Sequence, residues 1–296
     1  MRVASVLEIN TVGVPASRNE PFIPVYVISL SDAVERRRTM TSRLTEAGIP
    51  FQFVDAVDGR KTRLPDVIDG ARVVREPFSW ETVLACMVSH RLVHRMIAEG
   101  DADMALVLED DARLSSDFVD VVRQATKFKF DVFKLEGVNL AKRRLNVGQI
   151  GPYEVIVTNV PSVGSAAYVL RRDAARRLHS LPVIDQAPDT VFSDPRLRLR
   201  VLEMSPFCAR QDGETETQMR QLANPAYVPQ KRRSIRRLVE STRRKLLIAK
   251  LHGPATLVRL ELQRIRPLKD AASMVTWSAF VVMLASMTAD FWFFFR

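Results

Sequence analysis

Leu106-Val107-Leu108-Glu109-Asp110-Asp111-Ala112 joins an apolar run, Ala105 to Leu108, to three consecutive carboxylates. A short continuous apolar run reads as a strand buried on both faces, and the acids then emerge at its C-terminal edge, where open α/β sheets keep their ligand crevice. Three adjacent charges are costly to bury without compensation. A hard divalent cation would offset their repulsion, with Glu109 and Asp111, one residue apart, each offering an oxygen. The plainer reading is a solvated turn before a helix, in which Asp111 or Ser115 caps and Ser115-Ser116-Asp117 starts the next helix.

The flanking sequence supports an α/β reading. Pro24 to Leu30 is a strand, the polar stretch Ser31 to Arg38 enters a helix that stops near Gly48, and Pro50 to Gly59 is the next strand and its turn. This strand, helix, strand opening lacks the glycine-rich dinucleotide fingerprint, which argues against a nicotinamide or flavin oxidoreductase. Ser79 is placed to cap a helix running to Glu99, and Gly100 stops it before the acidic strand. Further strands are expected at Asp131–Leu135, Glu154–Val160, Gly164–Leu170 and Val201–Met204, with a helix over Arg172–Leu181. No internal repeat is present.

Charge is unevenly placed along the 296 residues. The whole chain carries +10, but residues 231–269 hold 13 Lys/Arg against two Glu, so the remainder is close to neutral. A globally basic nucleic-acid-binding domain is therefore not expected, and no specific nucleic-acid partner. Lys231 to Leu251 can form a basic amphipathic helix suited to an anionic membrane surface. Ala271 to Ala289 has no formal charge and leads into Phe291-Trp292-Phe293-Phe294-Phe295; as a helix it would span about 28 Å, near the hydrocarbon thickness. Met1 to Pro24 lacks the apolar core of a signal peptide. Cys86 and Cys208 fit a reducing compartment and make no zinc-type cluster in sequence, so Cys86 reads as core.

Tyr26 to Leu30, Glu35-Arg36-Arg37, Gly48 to Phe51, Val54 to Gly59, Ser89-His90, Leu106 to Ala112 and Gly164 to Val169 occur in the order seen in glycosyltransferase family 25. The chain resembles its bacterial members, which assemble lipopolysaccharide and lipooligosaccharide, and relatives that glycosylate collagen, over roughly residues 24–210. The resemblance implies a GT-A-like α/β domain with a central, mostly parallel sheet, a nucleoside-diphosphate sugar donor, and Mn²⁺ or Mg²⁺ held by Glu109 and Asp111. It further assigns the donor side to Ser29, Leu30, Arg36, Asp55, Asp58, Gly59, His90, Asp110, Gly164 and Tyr168. A carboxylate after a proline, Asp185 or alternatively Asp189, is the expected base in an inverting transfer. Each has a structural alternative: Arg36 as a surface helical arginine, Asp55 and Asp58 as turn formers, His90 as a satisfied core histidine, Asp185 as a loop cap.

The expected organisation is an N-terminal arm (1–21), a transferase domain (22–225), a basic helical extension (226–270) and a hydrophobic membrane-associated tail (271–296). The implied activity moves a hexose, such as galactose, to a lipopolysaccharide-type or lipid-linked saccharide at the cytoplasmic face of the membrane. Two alternatives stay open: an inactive membrane-associated scaffold, and a metal-dependent phosphodiesterase or hydrolase, which lacks the extra His and Asp ligands of many two-metal centres.

Overall fold

The computed structural model describes residues 11–12, 23–75, 81–138, 143–212 and 245–262. Its strands are β1 (Thr11–Val12), β2 (Val25–Ser29), β3 (Phe51–Asp55), β4 (Val67–Ile68), β5 (Ala71–Val73), β6 (Met104–Glu109), β7 (Ala112–Leu114), β8 (Val132–Lys134), β9 (Arg144–Ile150), β10 (Tyr153–Thr158), β11 (Ala167–Arg171), β12 (Val183–Ile184), β13 (Val201–Ser205) and β14 (Ala209–Gln211). The helices are α1 (Val34–Glu46), α2 (Glu81–Glu99), α3 (Phe118–Ala125), α4 (Arg172–His179) and α5 (Pro188–Val191), then α6, described over 245–252, and α7 (Pro254–Leu262).

A nine-stranded sheet in the order β1-β3-β2-β6-β11-β8-β13-β10-β9 forms the centre, giving the α/β architecture expected of a GT-A-like domain. The sheet is mixed. β2 pairs parallel with β3 and β6, and β8 with β13, while β11 runs antiparallel between β6 and β8. Reversing β11 matters for the site, because it brings the loop before β11 to the same edge as the C-terminal ends of β2, β6 and β8.

Period-two alternation feeds two cores. Val25 and Val27 of β2, Leu106 and Leu108 of β6, and Ala167 and Val169 of β11 face a cluster with Met40 and Leu44 of α1 and Phe118 and Val122 of α3. Ile28, Val107, Tyr168 and Leu170 face the other side, with Leu84, Val88 and Val93 of α2 and Leu178 of α4. Both faces are covered, which is why these strands read as unbroken apolar runs. The α1 turn closes as expected at Gly48, whose φ of +66° is the left-handed conformation that ends helices.

Two expectations change. Asp117 occupies the N-cap of α3 but makes no capping bond, nor is Asp111 or Ser115 the cap; the Asp117 carboxylate instead accepts from Ser115 Oγ at 2.6 Å and Tyr153 Oη at 2.9 Å. Part of the expected basic extension belongs to the globular body. Leu260 is 1% exposed in the first core, Leu257 is buried, and the Arg200 guanidinium donates to the Leu251 carbonyl. Among the described residues no helix is long and apolar enough to cross a membrane. The 271–296 tail, the arm apart from Thr11–Val12, and the Ser79 cap lie outside the described residues.

Candidate active site

The acids emerge where β6 ends beside its parallel neighbour β2. Asp110 turns toward β2: its Oδ2 accepts from Ser29 Oγ at 2.7 Å and its Oδ1 from the Arg36 guanidinium at 2.9 Å. Arg37 fixes the loop beneath, donating to the carbonyls of Ser29 at 2.9 Å and Leu30 at 3.0 Å and pairing with Asp55. Ser29, Leu30, Arg36, Asp55 and Asp110 are thus joined in one polar network. Asp58 lies farther out, held by Arg60 well below the usual carboxylate range. Gly59 lies in the turn closed by the Lys61 amide on the Asp58 carbonyl at 3.2 Å, and a Cβ there would sit 2.6 Å from the Glu81 carbonyl oxygen and 2.8 Å from Ala85 Cβ, so the glycine also lets this loop close onto α2.

Glu109 faces the other way. Its Oε1 accepts from Ser165 Oγ at 2.7 Å and lies 3.2 Å from His90 Nε2. Burial pushes its carboxyl pKa up, but the bonds from His90 and Ser165 outweigh burial and leave the group below its ordinary value. His90 Nδ1 is 2.8 Å from Tyr168 Oη, which is 3.0 Å from His94 Nε2. One proton arrangement serves all three bonds, with His94 donating to Tyr168, Tyr168 to His90 and His90 to Glu109, while His94 Nδ1 is buried without a partner. Tyr168 and His90 are fully buried, so they orient Glu109 from behind and do not line an open sugar pocket.

Asp111 is the exposed problem of the cluster in chemical terms, though it is only 5% exposed in space. Its Oδ1 is buried without a hydrogen-bond partner. Burial, followed by repulsion from Glu109, outweighs Arg36 and pushes its pKa up to about 7. A buried, unpartnered carboxylate oxygen among other acids is the donor set a hard cation needs, so the residues fit the implied Mn²⁺ or Mg²⁺.

Three residues not singled out in the sequence complete the edge. Glu136, just after β8, accepts from the Ala166 amide at 3.0 Å, and burial pushes its carboxyl up to about 7. Lys134 is 0% exposed and donates to the carbonyls of Ser162 and Gly164, the latter at 2.7 Å. Glu203 of β13 accepts from the Ser162 amide at 2.8 Å and Thr158 Oγ1 at 3.0 Å. Lys134 and Glu203 are signalled in the sequence as charged residues inside largely apolar strands, and Glu136 lies two residues past the end of one.

All of them converge on the loop 162–166. Asp189 joins through its Oδ2, which accepts from the Gly164 amide at 2.9 Å, and its charge acts on Glu136, Lys134 and Cys86. Asp185 does not join: its Oδ1 is buried and unpartnered, and the neighbour whose ionisation it affects is Arg196. Gly164 has φ of +110°, and a Cβ there would lie 2.6 Å from Glu136 Oε2. Gly164→Ala is therefore expected to cost about 2–4 kcal/mol, combining backbone strain with displacement of the Glu136 carboxylate from its amide. Urea unfolding measures it, and adding Glu136→Ala should restore part of the loss; an unshifted midpoint for the single variant would show that the loop relaxes freely.

The sequence matches the model of glycosyltransferase family 25 (LPS biosynthesis protein) over residues 22–184, just over half of the chain. It is 29% identical to the probable inactive glycosyltransferase 25 family member 3 of Bos taurus, an alignment covering 53% of this chain and 28% of the relative. It is 26% identical to procollagen galactosyltransferase 2 of Mus musculus, over 50% of this chain and 24% of that one. The lipooligosaccharide biosynthesis protein lic2B of Haemophilus influenzae is 25% identical, with 52% and 61% covered. The chain thus spans about a quarter of its vertebrate relatives and about three fifths of the bacterial one. With the acidic run at the end of β6 lying inside the matched segment, the chain belongs to glycosyltransferase family 25.

Proposed function

We propose that this chain transfers a hexose, such as galactose, from a nucleoside-diphosphate sugar to a lipopolysaccharide-type glycan, with inversion and with Mn²⁺ or Mg²⁺. The observation that carries the reading is the unpartnered Asp111 oxygen among Glu109, Asp110 and Glu136 at the end of two parallel strands. A bound divalent cation would supply the positive charge that a departing diphosphate requires.

The chain's own residues divide the remaining work. Asp111 offers its free oxygen to the cation, with Glu109 the second ligand. Asp110, clamped by Ser29 and Arg36, is positioned for donor hydroxyls, and Arg36 brings a fixed cation to the phosphate side. Asp189 is the better base of the two expected acids, because its Oδ2 is tied into the acid cluster by Gly164 and its second oxygen can take the acceptor proton. Fragments of the basic segment outside α6 and α7 would meet the anionic membrane that carries the acceptor.

Asp189→Asn is expected to lower the transfer rate by about 10²–10⁴-fold while leaving donor binding within a few-fold. Asp185→Asn should change turnover little. Measuring transfer and donor binding for both separates the roles, and the reverse ranking would reassign the base. The scaffold reading keeps one supporting observation, the inactive designation of the Bos taurus relative. Wild-type protein that binds donor and cation yet transfers to no glycan would favour it; hydrolysis of donor with no transfer would favour the hydrolase.

A further inference from the structure

Helix α2 carries Cys86 and His90 four residues apart, hence on one face, and that face abuts the end of β6. There the Cys86 thiol, a ring nitrogen of His90 and a carboxylate oxygen of Glu109 all lie within 4.8 Å of one another. We propose that Cys86, His90 and Glu109 form a second metal site, taking a thiophilic divalent ion of the Zn²⁺ type and adjoining the all-oxygen position at Asp111, with which it shares Glu109. The inference uses neither donor nor acceptor, and Glu109 is its one residue in common with the transferase reading.

Ligand chemistry decides the ion. Thiolate, imidazole and carboxylate together suit Zn²⁺, whereas Mg²⁺ and Mn²⁺ favour oxygen. Charge also balances: a Cys86 thiolate and a Glu109 carboxylate neutralise one divalent ion, and binding releases the thiol proton to solvent. His90 is already held as a metal-binding histidine is held. Its Nδ1 is 2.8 Å from Tyr168 Oη, so once Nε2 coordinates, Nδ1 can carry the proton and donate to Tyr168, whose hydroxyl then donates to His94 Nε2 at 3.0 Å. Ser165 Oγ, 2.7 Å from Glu109 Oε1, steadies the third ligand. Three protein ligands leave one position for water. Cys208, the other free thiol, bonds instead toward the Leu135 carbonyl and Met204 and supplies an internal control.

The test uses the full chain, stripped of metal by a chelator and titrated with Co²⁺ and then with Zn²⁺. The wild type and Cys208→Ala should each develop a thiolate-to-cobalt charge-transfer band that saturates at one equivalent, and Zn²⁺ should abolish it. Cys86→Ser, nearly isosteric and so expected to keep the fold, should lose the band and weaken Zn²⁺ binding by at least about tenfold in a competition with a chromophoric chelator. Asp111→Asn should keep the band. A wild type without the band, a band that survives in Cys86→Ser, or Zn²⁺ affinity equal in those two proteins overturns the site.

Discussion

Asp111→Asn is expected to abolish transfer and to stabilise the cation-free protein, two effects of opposite sign from one atom. The loss should be about 10²–10³-fold in turnover, about 3–4 kcal/mol, as for other single groups that stabilise charge developing in a transition state. Asp117→Ala, which removes a carboxylate that accepts from Ser115 and Tyr153, should retain activity. Stability moves the other way because Asn keeps the shape and removes the charge that Glu109 and Glu136 oppose. The unfolded chain gives up this proton near the ordinary carboxylate value, 3.8, and the folded chain near about 7. Between those values the folded state binds more protons, so stability is fully present below the lower value and is lost as pH rises through the upper one. Denaturation in chelator should show wild type falling in stability from pH 5 to pH 8, and the variant falling less, ending about 1–3 kcal/mol above wild type at pH 8. Normal turnover in the variant would remove Asp111 from the cation site.

Lys134→Met carries the largest expected cost to folding, about 3–5 kcal/mol. Met fills much of the same volume, so the loss is one of charge and hydrogen bonds. The ammonium binds two loop carbonyls and lies among Glu136, Asp189 and Glu203, each of which acts to keep it protonated against burial. Without it those acids face one another across the loop 162–166. Thermal unfolding should show the loss, and adding Glu203→Gln should recover part of it, because the remaining charge is then smaller. A midpoint within a degree of wild type would mean that water replaces the ammonium.

The central strands were legible because two cores share one sheet. A strand covered on both faces has no polar side, and Val25 to Ser29, Ala105 to Leu108 and Ala167 to Leu170 carry that signature. β9 was missed for the converse reason: it is an edge strand, with Arg144, Asn146, Val147 and Gln149 largely outside the core. Family order placed Ser29, Arg36 and Asp110 on the donor side, and the structure adds that Asp110 bonds directly to the other two. Cys86, Lys134, Glu136 and Glu203 were not legible as a set. They come from three elements or their ends, α2, β8 and β13, and the reversal of β11 between β6 and β8 brings the loop 162–166 to that edge. Sequence spacing contains α2's four-residue repeat of Cys86, His90 and His94, but not which strand end it meets.

That reversed strand also guards the pairing of the sheet. Tyr168 sits opposite Val107 on β6 and Lys134 on β8, and its hydroxyl is enclosed by two histidines of α2. A slip of one residue would turn Tyr168 into the core built by α1 and α3, leave His94 and the phenol without these partners and His90 with Glu109 alone, and expose the error at once as buried polar groups that lack bonds. Many sheets rely on apolar pattern alone to exclude such neighbours, and apolar residues of similar size tolerate one another. Here a single phenol discriminates the native alignment from its nearest competitors, so the accuracy with which β11 threads the sheet is set by the same hydroxyl that orients His90.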